Sequence, residues 1–287
     1  MRQDATGTPL AVLGAVVALT AGTCGAGEQG VQPFRFVVFG GVRGRVKVFR
    51  ALAEQMARLR PEMVLSTGEL VSKRGDRKTW TAFDEAMERF GEGCRAHGCV
   101  WQREPGQTFR RRLGPPPGAT RRSDYYSFDH KGVHFVFLDS LRRARRDDEQ
   151  TAWLDKDLAA AGQRPSVVVL HSPVLSPKGG TGNSGLARFY WRPLFVKHGV
   201  RLVLSGSPRF YHRTRQDGVV YIVTAGGGGI LSRVESRRSL LPGDVLAAYH
   251  HFIAFTVTAG EFRGRVVDPE GRTRDEFVIP LRQPSDS

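Results

Sequence analysis

The sequence predicts an α/β fold, in which short buried strands alternate with amphipathic helices. Runs of β-branched and aromatic residues recur along the chain, and segments with apolar residues at helical spacing separate several of them. At 287 residues with 40% hydrophobic content, the chain is long enough for one large domain or for two small ones. No internal repeat or change of composition divides it, which favours a single α/β domain.

The first half of the chain predicts two strand–helix pairs. The apolar run FRFVVF predicts a strand at Phe34–Phe39, and a glycine-rich loop follows it. Residues 46–59 carry apolar side chains three and four positions apart, which predicts a helix. A second strand at Met63–Ser66 precedes a second amphipathic helix at residues 79–90. A short strand at residues 99–100 and a polar loop at residues 105–122 follow.

The second half predicts a series of strands with one helix among them. A strand at residues 133–138 precedes a helix that opens at Asp148 with an acidic first turn, as the helix dipole favours. A buried strand at residues 167–170 ends at His171. The remaining strands are expected at residues 200–204, Val219–Thr224, 253–258, 262–267 and 276–279, with a polar loop between the first two.

The N-terminal segment has the proportions of a secretory signal. Residues 10–21 are apolar, too few for a typical membrane span, and small residues follow them. We expect residues 1–26 to be a signal peptide cleaved after Ala26, with a lipid-modified Cys24 or an uncleaved anchor as alternatives. The protein would then be periplasmic, secreted or membrane-anchored. A linker at 27–33, one domain at 34–281 and a polar tail at 282–287 complete the organisation.

The net charge of +15 favours an anionic ligand or an acidic partner. The alternative is a coding bias toward arginine. The basic residues are dispersed and lack the interleaved aromatic residues of single-strand nucleic-acid surfaces, so no specific nucleic-acid motif is present.

Three cysteines are too few for a disulfide framework. In an oxidising compartment, Cys94 and Cys99 are expected to form a local disulfide. The alternative is a metal site that includes His97, but such a site lacks a fourth ligand.

Several segments resemble the calcineurin-like metallophosphoesterases, near the purple acid phosphatase branch. The segment GVRLVLSGSPRFYHRTR resembles the last family motif, in which Tyr211 and Arg213 match, and the run YYSFDHKGVHFVFLDS resembles the central hairpin. Gln150 and the Trp153–Leu154 pair also match. The resemblance covers residues 34–279 and implies a four-layer αββα sandwich of two mixed β-sheets flanked by helices.

The resemblance also implies where the family site would lie. Most positions that hold two metals or act as acid catalysts in the family carry side chains that do not bind cations, since glycine has no donor atom and arginine stays protonated. The acidic bridge is kept as a glutamate and one histidine is kept, so both are remnant metal ligands. The family-site positions are Gly41, Arg43, Glu69, Gln102, Arg103, His171, Ser207 and Arg209.

These replacements predict a catalytically impaired phosphoesterase-like protein that needs no metal cofactor. Arg43, Arg103 and Arg209 would point into the old phosphate pocket and bind a phosphate-like anion or an acidic partner. One alternative is an active metal-dependent phosphohydrolase that holds manganese, iron or zinc through remodelled ligands, with the Gln102 amide or His212 recruited. Another is an interaction scaffold without pocket chemistry.

Overall fold

Two mixed β-sheets packed face to face, with helices on their outer faces, form the protein in a computed structural model. It describes residues 30–73, 76–100, 107–122, 124–142, 144–145, 148–177, 183–234 and 240–282. This arrangement is the predicted four-layer αββα sandwich. The expected signal segment and residues 283–287 of the expected tail lie outside the described residues. Within the described ranges, no helix has the length and apolar character that crossing a membrane requires.

The first sheet has six strands, and the strands of its parallel part end at the candidate site. β1 and β2 are parallel, as are β2 and β3, whereas β12, β13 and β14 pair antiparallel with their neighbours. In spatial order the strands are β14 (Thr273–Pro280), β13 (Glu261–Val267), β12 (Phe252–Val257), β1 (Phe34–Phe39), β2 (Met63–Ser66) and β3 (Arg95–Gly98).

The second sheet has eight strands, and its central strands β6, β7, β8 and β10 are parallel to one another. Its outer strands are antiparallel additions. In spatial order they are β11 (Val245–Ala247), β9 (Tyr211–Gln216), β10 (Val219–Thr224), β8 (Leu202–Ser205), β7 (Ser166–Leu170), β6 (Val133–Phe137), β5 (Tyr125–His130) and β4 (Thr120–Arg122).

Six helices cover the outer faces of the sheets in the described part of the chain. Asp76 caps α2 by accepting a hydrogen bond from the Thr79 amide, and Asp148 caps α4 through the Thr151 amide. The helices are α1 (Val46–Arg58), α2 (Arg77–Phe90), α3 (Gln107–Leu113), α4 (Glu149–Ala161), α5 (Asn183–Tyr190) and α6 (Arg192–Lys197).

The three largest apolar clusters among the described residues hold the layers together. One lies between the sheets and includes the stacked rings of Phe36 and Phe255, 4.7 Å apart. A second joins the first sheet to α1, α2 and α3, and a third joins the second sheet to α4, α5 and α6. Burial of these side chains is the main favourable contribution to folding.

Some predicted elements differ from the structure. The polar loop expected between β8 and β10 contains β9, which pairs with both β10 and β11. The loop expected at residues 105–122 contains α3 and β4. The strand expected at 99–100 lies earlier, as β3. These errors share a cause: polar segments take regular structure when neighbouring strands or helices satisfy their backbone groups.

The predicted disulfide is wrong. Cys94 and Cys99 are both buried, and no disulfide joins them. Cys94 packs in the cluster beneath α2, whereas Cys99 packs in the cluster between the sheets. Because β3 separates the two cysteines and successive strand residues face opposite ways, the two sulfurs lie on opposite sides of the first sheet.

Candidate functional site

The two sheets come together where β1, β2, β7 and β8 end. Thr67, just after β2, donates a hydrogen bond from Oγ1 to the Thr224 carbonyl oxygen at 2.8 Å. The ring Nδ1 of His171, just after β7, donates to the Thr67 carbonyl oxygen at 3.0 Å. The amide of Gly206, just after β8, donates to the His171 carbonyl oxygen at 3.0 Å. The exit loops of both sheets therefore form one site, at the position where α/β sheets commonly bind ligands.

Close backbone approach explains two of the glycines here. A Cβ atom at Gly206 would overlap the Thr67 carbonyl oxygen, so only glycine lets the two sheets touch at this point. Gly41 has a φ of 72°, and a Cβ atom there would overlap the Ala225 carbonyl oxygen. The first exit loop therefore excludes any side chain at Gly41.

Glu69 lies at the centre of the site. It is 5% exposed and has a φ of 59°, a left-handed conformation that is rare for residues other than glycine. Nη1 of Arg209 lies 3.0 Å from Oε2, and Nη1 of Arg43 lies 3.4 Å from Oε1. The backbone of Arg43 is also in the left-handed conformation, with a φ of 45°. Two guanidinium groups thus hold one buried carboxylate, and we call Arg43, Glu69 and Arg209 the arginine–glutamate cluster.

The glycine-rich loop after β10 fixes Arg209. Nε of Arg209 donates to the Ile230 carbonyl oxygen at 2.7 Å, and the backbone of Arg209 exchanges hydrogen bonds with Ser232. A Cβ atom at Gly229 would lie 3.1 Å from Cδ of Arg209 and 3.5 Å from Cβ of Arg43. The loop backbone therefore packs against both arginine stems.

His171 is neutral in this setting. Burial lowers the pKa of its imidazole, and the positive charges of Arg209 and Arg43 act in the same direction, against the hydrogen bond to Thr67 and the charge of Glu69. Because Nδ1 carries the proton that it donates to Thr67, Nε2 presents a lone pair.

The donors at these positions do not fit a two-metal centre. Such a centre needs several carboxylate, imidazole or amide ligands around two cations about 3.5–4 Å apart. Gly41 offers no donor, and the guanidinium groups of Arg43 and Arg209 contact the carboxylate that would bridge the metals. In the described ranges, no three His, Cys, Asp or Glu side chains are grouped so as to hold a metal ion.

The structure places some of the predicted site residues together and leaves others outside its description. It brings together Gly41, Arg43, Glu69, His171 and Arg209, with Ser207 in the same loop as Arg209. Gln102 and Arg103 lie outside the described residues, so the roles expected of them stay predictions. His212 is buried, and its Nε2 lies 3.5 Å from the Asp244 carboxylate on the other side of β9.

The sequence interpretation missed the groups that position the site. In the sequence, Gly229 and Ile230 are recognisable only as part of a glycine-rich turn, and nothing there indicates that they contact Arg209. Tyr211 and Arg213, the residues that match the family, both bind Asp275 of β14, through the Tyr211 hydroxyl at 2.6 Å and Nε of Arg213 at 2.8 Å. This network joins β14, an edge strand of the first sheet, to β9, the strand next to the edge of the second sheet. Asp275 gives no local signal in the sequence, because its partners are about 60 residues away.

Comparisons with known proteins support the fold independently of motifs. No family model matches the chain, and no curated protein matches it in sequence. Among solved structures, the purple acid phosphatase PPD1 from yellow lupin seeds superposes with a TM-score of 0.65 at 16% identity, over 87% of this chain and 54% of that one. The structure titled PhoD gives 0.64 at 13% identity, over 87% and 70%.

A third structure, titled GAP50, the anchor in the inner membrane complex of Plasmodium, gives a TM-score of 0.62 at 13% identity, over 88% of this chain and 90% of that one. Together these similarities support the αββα sandwich. The chain has the fold of the calcineurin-like metallophosphoesterases. It spans about half the length of the lupin phosphatase, one of the enzymes that share this fold.

Proposed function

We propose that this protein is a catalytically impaired member of the metallophosphoesterase fold that binds a phosphate-like anion without metal. The observation that supports this proposal is the pair of guanidinium groups, from Arg43 and Arg209, that hold Glu69 where the family bridges two metals. Guanidinium groups bind carboxylates and phosphates through the same forked geometry. The cluster is therefore a site built for oxyanions.

The cluster keeps a positive charge on its accessible side. Two arginines and one glutamate carry a formal net charge of one positive unit. The Arg43 and Arg209 side chains are 31% and 25% exposed, whereas the Glu69 side chain is 6% exposed and lies behind them. Nη2 of Arg209 has no hydrogen-bond partner among the described residues. An incoming phosphate would meet these donors before it met the carboxylate.

Hydrolysis by the family mechanism has little support from this donor set. Two-metal hydrolases lower the pKa of a bridging water so that hydroxide forms near neutral pH. A guanidinium group has no vacant orbital to bind that water, and Glu69 is already engaged by two arginines. We therefore expect the protein to bind a phosphoryl group and leave its ester bond intact.

Calorimetric titration of the full chain with inorganic phosphate tests the binding. Arg209→Met should weaken binding about tenfold or more, because it removes a charge-assisted hydrogen bond. Glu69→Gln should strengthen binding several-fold, because it removes a competing negative charge. The Arg263–Glu261 pair is exposed and lies on β13, so Arg263→Met and Glu261→Gln are controls with the same charge changes. Equal phosphate affinity in all five proteins would refute the proposal.

Turnover of a generic phosphomonoester with added manganese tests the catalytic part. We expect no rate that depends on Glu69 or His171. A rate that Glu69→Gln and His171→Ala both abolish would identify an active hydrolase with remodelled ligands. If neither phosphate binding nor turnover is found, the cluster is a closed ion pair and the scaffold interpretation remains.

Export is part of the same proposal and rests on residues 1–26 alone. If it is correct, the N-terminal sequence of the purified mature protein should begin at or near Gly27, or at a lipid-modified Cys24. A full-length cytoplasmic protein would contradict it.

A further inference from the structure

A cavity lies at the end of the parallel strands opposite to the arginine–glutamate cluster. Its volume is about 460 Å³, within the range of small-molecule sites. It opens where the edge strand β3 of the first sheet faces the edge strand β4 of the second sheet and its neighbour β5. β2 begins at this cavity, whereas the arginine–glutamate cluster follows the end of β2. The cavity and the cluster are therefore separate sites.

The acidic side chains that line the cavity already have cationic partners. Glu62 pairs with Lys131 at 2.7 Å, and its carboxylate lies 3.3 Å from Nε2 of His130. Asp129 pairs with Arg164 and with Nδ1 of His134, the latter at 2.7 Å. These groups form part of the cavity wall, and their ion pairs leave them little hydrogen-bonding capacity for a ligand.

His134 is equally engaged. Its two ring nitrogens bond Asp129 and Asp157. Burial by itself would lower the pKa of His134, but the hydrogen bonds to and the charges of the two carboxylates together outweigh burial and raise it. Ser127 donates to the other oxygen of Asp157 at 2.7 Å. Because the hydroxyl bonds the carboxylate and not the imidazole, the three residues do not form a Ser–His nucleophile pair.

Two polar groups of β3 have no hydrogen-bond partner among the described residues: the Arg95 guanidinium group and one ring nitrogen of His97. Arg95 is exposed, and no described side chain pairs with its guanidinium group. His97 is 5% exposed, and its Nδ1 donates to the Gly114 carbonyl oxygen at 2.8 Å. This bond leaves Nε2 as a lone-pair acceptor, and burial lowers the pKa of His97 to about 4, so the ring is neutral at pH 7.

The rest of the lining is apolar and includes an aromatic platform. Met63, Pro116, Pro117 and Phe128 line the cavity. The Phe128 ring stacks with the Phe135 ring, and its centroid lies 4.7 Å from that of the His97 ring. Arg95 and His97 are two residues apart on one face of β3, so their Cα atoms are about 7 Å apart. The cation and the acceptor therefore leave β3 on the same side, next to each other along the cavity wall.

We infer that this cavity binds a small aromatic acid that carries a hydroxyl or N–H donor on the side opposite its carboxylate. The carboxylate pairs with Arg95, the donor bonds Nε2 of His97, and the ring packs on Phe128 and the two prolines. Such sites combine an apolar lining with a few convergent polar groups.

The probe is 4-hydroxybenzoate, compared with benzoate, which lacks the donor. The full chain is labelled with ¹⁵N histidine, and the titration follows the Nε2 resonance of His97. Arg95→Gln should weaken binding of both probes about tenfold, because it removes the charged contact. His97→Asn keeps a donor for Gly114 and removes Nε2, so it should abolish the preference for 4-hydroxybenzoate, read by calorimetry.

Two controls keep the result specific. Arg89→Gln removes an exposed arginine on α2, and Arg209→Met alters the arginine–glutamate cluster; both should leave the affinity for 4-hydroxybenzoate unchanged. Saturable binding that Arg95→Gln weakens, with a shift of the His97 resonance, supports the inference. Absence of saturable binding, equal affinity in Arg95→Gln, or loss in Arg209→Met instead would overturn it. The phosphate titration of the cluster is independent of each of these results.

Discussion

The pairing of Arg209 with Glu69 predicts a measurable coupling energy. The variants are Arg209→Met, Glu69→Gln and the double substitution. At 3.0 Å and an effective dielectric constant of about 20, the gross attraction is about 5.5 kcal/mol. Desolvation of Glu69 and the 25% exposure of the Arg209 side chain reduce the net coupling to about 2 kcal/mol.

Urea unfolding of the four proteins measures this coupling as the departure from additivity. Arg209→Met alone should destabilise by about 2–4 kcal/mol, because Glu69 then stays buried with only the longer contact to Arg43. Glu69→Gln alone should cost less, since both arginines reach solvent. The double variant should be more stable than the sum of the single losses implies.

Additive effects, within about 0.5 kcal/mol, would refute the reasoning. They would mean that Arg209 and Glu69 do not interact in solution, and the anion-site proposal would lose its structural basis. Arg263→Met and Glu261→Gln, with their double variant, supply the matched cycle. That exposed pair should show a clearly smaller coupling than the pair of Arg209 and Glu69, because solvent screens exposed charges.

Three further predictions follow from buried groups. Gly41→Asp should cost more than about 2 kcal/mol in urea unfolding and gain no affinity for manganese in a metal titration, because the new Cβ would overlap the Ala225 carbonyl oxygen at a positive φ. Cys94 and Cys99 should resist iodoacetamide until the protein is unfolded, and reductant should leave the melting temperature unchanged; burial raises the pKa of Cys94 to about 11. Burial lowers the pKa of His251 to about 4. The contribution of this neutral histidine to stability is therefore complete above pH 6.5 and is lost as the pH falls toward 4, by up to about 3 kcal/mol. In the His251→Gln variant, the urea concentration at the unfolding midpoint should fall less steeply over this pH range.

Local pattern was sufficient for much of the architecture. Periodicity alone placed β1, β2 and β10 at the bounds that the structure shows, and α1 within one residue of its end. These elements are apolar on the buried side, so composition and period agree with the tertiary environment. β9 and α3 were missed because they are polar, and neighbouring elements in space stabilise them.

The candidate site, like the fold, could be predicted in part from the sequence. Motif resemblance placed Arg43, Glu69, His171 and Arg209 at the ends of their strands, and the structure brings all four together. It did not predict that Glu69 lies between the two arginines, which changes a predicted patch of positive charge into a partly neutralised cluster. Charge balance in a pocket depends on distances of 3–4 Å between residues that are 26 and 140 positions apart.

The sequence by itself determined the α/β class and much of the strand–helix order, because both depend on residue type and local spacing. Only the tertiary structure decided that Cys94 and Cys99 lie on opposite sides of a sheet, and that Gly41 excludes a side chain. It alone also showed that Arg95 and His97 line a cavity at the far end of the parallel strands. These features arise where two sheets pack against each other, and packing between distant segments has no local signature in the chain.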